Sequence, residues 1–120
     1  MDTLSALTSR VSIGRLIAPA PTGSVLDTLF RAALRAPDHG GLKPWRFLVV
    51  EGEGLVRLGA LMAEAALADN PDIAPDKLEK ARKNPLRAPM LIVAVAHVVE
   101  NLKVPAVEQI LSVGAAVQNL

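Results

Sequence analysis

Only two stretches of this sequence read as β-strands, and two strands alone do not make a finished sheet. The first is Trp45 to Val50, bounded by Pro44 and by Glu51-Gly52. The second is Met90 to His97, an unbroken run rich in β-branched residues, as expected of a strand covered on both faces. The rest is helix and loop. Leu4, Leu7 and Val11 predict a helix over Thr3 to Ser9, and the breakers Gly14, Pro19, Pro21 and Gly23 make Ser12 to Gly23 a loop. Thr22 or Ser24 caps the next helix, in which Val25, Leu26, Leu29, Phe30, Ala33 and Leu34 recur on one face expected to be buried; Pro37 stops it. Further helices are predicted from Gly54 to Ala68, with Leu55, Leu58, Met62 and Ala66 on one side, and from Pro75 through Lys83. After Pro105 an apolar helical pattern runs through Val107, Ile110, Leu111, Gly114, Val117 and Leu120. The class is α+β.

That last helix carries no C-cap glycine, proline or polar tail, so the natural domain is expected to continue past residue 120 or to be completed by a partner chain. Hydropathy points the same way. The chain has 120 residues, room for one domain, yet its apolar fraction is 51% and its mean hydropathy +0.34. So apolar a short chain contains a membrane span, a large subunit interface, or a core that needs more sequence. The longest apolar run, Met90 to Ala96 and on past His97 to Val99, is far short of the roughly 20 residues that cross a bilayer. Asp2 and the lack of a basic stretch before an apolar one argue against a signal peptide. A net charge of +1 gives no reason to expect nucleic acid or an anionic membrane as partner. The absence of cysteine excludes disulfides and thiolate metal sites and is compatible with the cytoplasm.

Three segments hold polar groups without an obvious packing purpose. In Ser9-Arg10-Val11-Ser12-Ile13-Gly14-Arg15, a helix gives way to a loop. Two guanidiniums, two hydroxyls and free N–H groups there form either an anion site or a solvated helix end. In Arg35-Ala36-Pro37-Asp38-His39-Gly40-Gly41-Leu42-Lys43-Pro44-Trp45, Arg, Asp, His and Lys crowd a helix-to-strand connection. Its two glycines suit either a simple turn or the close approach of a backbone or flat ligand. His97, near Glu100, Asn101 and Lys103, reads as structural, because a metal site needs more ligands than the two histidines of this chain supply. No Walker loop, Rossmann glycine fingerprint, nucleophile elbow or zinc motif is present.

Taken in order, the segments resemble the nitroreductase family of FMN flavoproteins, especially its small bacterial NAD(P)H nitroreductases. The matching stretches begin with Arg10-Val11-Ser12, Pro19-Ala20-Pro21-Thr22-Gly23, Arg35-Ala36-Pro37-Asp38-His39 and Pro44-Trp45. Glu51-Gly52-Glu53-Gly54, Arg87-Ala88-Pro89, Lys103-Val104-Pro105 and Glu108-Gln109 follow, so the resemblance covers the whole chain. It departs from the family at Val11, where a second arginine is common, and at Gly14, where a basic residue is usual. Arg15 one step on, and Lys43 before Pro-Trp, therefore have no assigned role.

The resemblance implies a nitroreductase-like fold, helices around a central mixed or antiparallel sheet, of which residues 1–120 are the N-terminal part of one domain. It implies two intertwined subunits with FMN at their interface. Arg10 and Ser12 would hold the phosphate and ribityl region, the Val11 backbone would line the pocket, and Arg35 and His39 would contact the FMN, in the partner's pocket or their own. It also implies hydride transfer from NADH or NADPH to the flavin N5, then to a nitroaromatic, quinone or related small-molecule acceptor by ping-pong kinetics. The flavin, rather than any side chain, carries the chemistry, and no metal is involved. The alternative is a flavin-binding protein, or a fragment, without turnover.

Overall fold

A computed structural model of the chain describes residues 2–120, and its elements begin and end close to the predicted breakers. Helix α1 spans Thr3–Ser9, α2 Gly23–Ala33, α3 Glu53–Asp69, α4 Pro75–Lys83 and α5 Ala106–Asn119. Strands β1 (Trp45–Glu51) and β2 (Met90–Ala96) pair antiparallel, and short 3-10 turns occupy His39–Gly41 and Asn84–Arg87. The fold is α+β with a small antiparallel sheet.

Local chemistry sets these boundaries. Asp2 caps α1, one carboxylate oxygen accepting the Ser5 N–H at 2.9 Å and the other the Ser5 hydroxyl at 2.8 Å. Thr22 takes the cap position of α2 in extended backbone, although its side chain makes no cap bond. Helix α4 opens on Pro75 and Asp76 and closes on Lys80, Arg82 and Lys83, each charge placed to favour the helix dipole. The sheet runs in register from Trp45 opposite Ala96 to Glu51 opposite Met90. The His97 N–H donates to the Pro44 carbonyl at 2.7 Å, so β2 ends one residue before its predicted limit, with its next amide still satisfied.

Helices α2 and α5 cover one face of the sheet. Ala33, Ala36, Trp45, Val113 and Ala116 form the buried cluster, with Phe47, Ala94, Ala115 and Leu120 packed against it. The Phe30 and Phe47 rings meet with centroids 5.7 Å apart and planes tilted by 43°. A second contact joins α3, α4 and the turn at Asn84–Arg87, burying Leu55, Gly59, Ala63 and Pro85. Gly59 is required there by space, because a methyl group built on it would overlap the Arg82 carbonyl oxygen.

Several apolar faces are uncovered. Helix α5 buries Gln109, Ser112, Val113 and Ala116, while Val107, Ile110, Leu111 and Val117 face outward, Leu111 being 67% exposed. Val25 on α2 and Leu34 at its C-cap are exposed although the predicted face includes them. Strand β2 is half-buried from Met90 to Ala94 and exposed at Val95 and Ala96, rather than covered on both sides. The reason is geometric: one helical layer and one partner strand cannot cover both faces of β2, whose residues are apolar throughout. The accessible surface is 8920 Å², against roughly 6,200 Å² for a closed monomer of this mass. The radius of gyration is 17.2 Å, where a compact chain of this length has about 14 Å.

Candidate functional site

At Arg10 the backbone leaves α1 for an extended conformation, carrying Val11 and Ser12 into solvent. The Arg10 guanidinium donates to the Ser12 hydroxyl at 3.3 Å, joining a cation and a hydroxyl in one exposed polar spot. The loop is tied down further on, where the Leu16 N–H donates to the Arg87 carbonyl at 2.8 Å. The Arg87 guanidinium lies over Gly14, where a Cβ would stand 2.5 Å from it. An apolar cleft of about 350 Å³ opens behind, between Ile13, Leu16, Met62, Pro85 and Leu91.

Arg35 follows the end of α2, its N–H closing on the Ala32 carbonyl and its side chain exposed. Beyond it the chain turns sharply, with Gly40 at φ 75° and Gly41 at φ 63°, conformations that side chains rarely adopt. Lys43 is also left-handed at φ 48°, held there as its N–H donates to the Asp38 carboxylate at 2.7 Å. That turn sets His39 against α5, its Nδ1 2.5 Å from Glu108 Oε2. His39 and Glu108 border a cleft of about 330 Å³ floored by Pro37, Leu111, Ser112 and Ala115.

Arg10 thus meets Ser12, and Arg35 and His39 flank one turn, but no hydrogen bond or ion pair among the described residues joins the two groups. Arg10 and Arg35 line neither of these clefts. Ion pairs among the described residues are confined to His39–Glu108 and to Glu79 with Arg82 and Lys83, so both arginines lack a carboxylate partner. The unneutralised Arg10 guanidinium beside the Ser12 hydroxyl makes a donor pair for an anionic, hydroxyl-bearing ligand, and Arg35 offers a second, separate cation. His97 has an exposed side chain, and no cluster of metal-ligand residues occurs among the described residues.

Sequence reasoning found Glu108 and Gln109 only as letters in a pattern. The structure makes Glu108 the partner of His39 and buries Gln109. The Gln109 amide donates to the Val99 carbonyl at 2.8 Å and the Val104 carbonyl at 3.1 Å, while its oxygen accepts the Val99 N–H at 2.9 Å. A glutamine inside an apolar helical run is the one signal that marks such a role beforehand.

The sequence matches the model of the nitroreductase family over residues 7–120. It is 48% identical over 118 residues to "Putative NAD(P)H nitroreductase YdjA" of Escherichia coli (strain K12), covering 98% of this chain and 63% of that protein. It is 45% identical over 121 residues to "Putative NAD(P)H nitroreductase" of Haemophilus influenzae, covering 65% of that protein. The chain therefore spans a little under two thirds of these curated relatives. Among solved structures, the nitroreductase-like family protein from Bacillus cereus superposes with a TM-score of 0.75 at 20% identity over 99% of this chain and 62% of its own. A BluB-like flavoprotein from Clostridium difficile 630 gives 0.69 at 18% identity, over 99% and 67%.

Proposed function

The chain belongs to the nitroreductase family, and from that premise we propose that the whole protein is an FMN-dependent NAD(P)H oxidoreductase. It reduces nitroaromatic, quinone or related acceptors by ping-pong hydride transfer, as a cytoplasmic homodimer with FMN at the interface. The observation that carries the reading is the donor set of this chain. Arg10 and Arg35 have no counter-ion among the described residues, and Arg10 is linked to Ser12. That set fits a phosphate and a ribityl chain. NAD(P)H stands in the names of the relatives, and one structural neighbour is a BluB-like flavoprotein. The uncovered faces of α2, α5 and the sheet supply the surface that an intertwined dimer buries.

In this reading Arg10 neutralises the phosphate, Ser12 bonds the adjoining hydroxylated region, and the Val11 backbone lines the pocket wall. Arg35 and His39, which this chain does not join to Arg10, contact an FMN in the partner's pocket or their own. A bound flavin supplies the two-electron chemistry that none of these side chains can perform. The residues bind and orient it; positive charge beside the pocket favours an anionic ligand there.

Removing one charge-assisted contact costs about 1.5–3 kcal/mol, so Arg10→Ala should weaken flavin retention by roughly tenfold or more. Equal flavin content in purified wild-type and Arg10→Ala protein would sink the assignment. Bleaching of the yellow protein by NADH or NADPH separates an enzyme from a flavin binder without turnover.

A further inference from the structure

Glu108 lies in the first turn of α5, where the helix dipole favours a carboxylate, and contacts a histidine 69 residues away in sequence. Both partners are rigidly mounted. The Glu108 N–H donates to the Pro105 carbonyl at 3.0 Å, and the Ser112 hydroxyl donates to the Glu108 carbonyl at 3.1 Å. The His39 turn is clamped by the Asp38–Lys43 bond, and Gly40 sits close against Val104, to whose methyl an added Cβ would come within 3.1 Å. The two side chains are 59% and 43% exposed. A pair so solvated adds little to stability, so its consequence lies in orientation.

A carboxylate only accepts, so it holds the proton of a neutral ring on Nδ1 and leaves the lone pair on Nε2. We propose that Glu108 is a positioning residue that fixes the His39 imidazole through Nδ1, presenting Nε2 to the flavin nucleotide across the cleft floored by Pro37, Leu111 and Ala115. The inference rests on the reading that His39 meets that nucleotide. It adds a second residue, on a different element, to that contact.

Two measurements on the full-length protein test it. In flavin-free protein, ring 15N shifts of His39 should show the proton on Nδ1, and Glu108→Ala should abolish that preference. Glu108→Gln, which keeps an acceptor oxygen, should largely restore it. A His39 tautomer indifferent to Glu108→Ala overturns the proposal, whatever the flavin does. In the second, FMN titration of Glu108→Ala should show roughly tenfold weaker binding, and the same change in a His39→Ala background should have no further effect. Additive losses would mean that Glu108 acts by another route and would also overturn it. If His39→Ala binds FMN like wild type while the tautomer still follows Glu108, the failure lies in placing His39 on the flavin. Circular dichroism of each variant, with Glu108→Gln as the milder change, separates these results from misfolding.

Discussion

Gln109 shows how much one buried side chain can hold. Its carboxamide replaces the strand partner that residues 99–104 lack, satisfying one amide and two carbonyls while the chain crosses from β2 to α5. Gln109→Leu keeps the volume and gains apolar transfer energy, but it removes three hydrogen bonds worth about 0.5–1.5 kcal/mol each. The losses win, and a destabilisation of about 2 kcal/mol is expected as a lower urea midpoint with unchanged slope. Asp2 offers a pH test at the same scale. The Ser5 N–H, and secondarily its hydroxyl, hold the Asp2 carboxyl below its ordinary value of 3.8. A lowered folded-state pKa means that the cap is intact above the ordinary value and is lost as pH falls through the lowered one. The Ser5 amide resonance should therefore move only in strongly acidic solution, and a flat response throughout that range would contradict the assignment.

Among the elements, boundaries were legible and faces were not. Pro37, Pro71, Pro75 and Pro105 punctuate the chain where helices stop or start, for reasons internal to the backbone. Which side of a helix points inward depends on what lies opposite. Helix α5 has the apolar pattern 107, 110, 111, 114 and 117 that predicts a buried face, yet within the chain its covered face is 109, 112, 113 and 116. The candidate site divides in the same way. Arg10, Ser12, Arg35 and His39 stand out by residue type, whereas the His39–Glu108 contact joins positions that no local spacing connects. Between α3 and α4 the missing information is a distance. Ala in place of Gly59 would gain about 1 kcal/mol of helix propensity. It would also press a methyl into the Arg82 carbonyl, a rigid backbone atom. Overpacking costs about 1–3 kcal/mol, and with so deep an overlap the upper end applies, so Gly59→Ala should lower the thermal midpoint. A raised midpoint would show that the two helices can part freely.

At the scale of the molecule, the surface excess and the extended radius describe a chain that does not close on itself. Apolar area of that kind is stabilising only when another surface removes it from water, so thermal stability should rise with protein concentration. A midpoint independent of concentration over a hundredfold dilution would argue against the proposed homodimer.

The segment from Asp2 to Pro19 is exposed at every position and carries Arg10 and Ser12 on a strap moored by the Leu16–Arg87 bond. Half of the proposed nucleotide grip thus rides on residues that gain little shelter from their own chain. Dilution into a protease should clip this strap first, and the cut should take flavin retention with it.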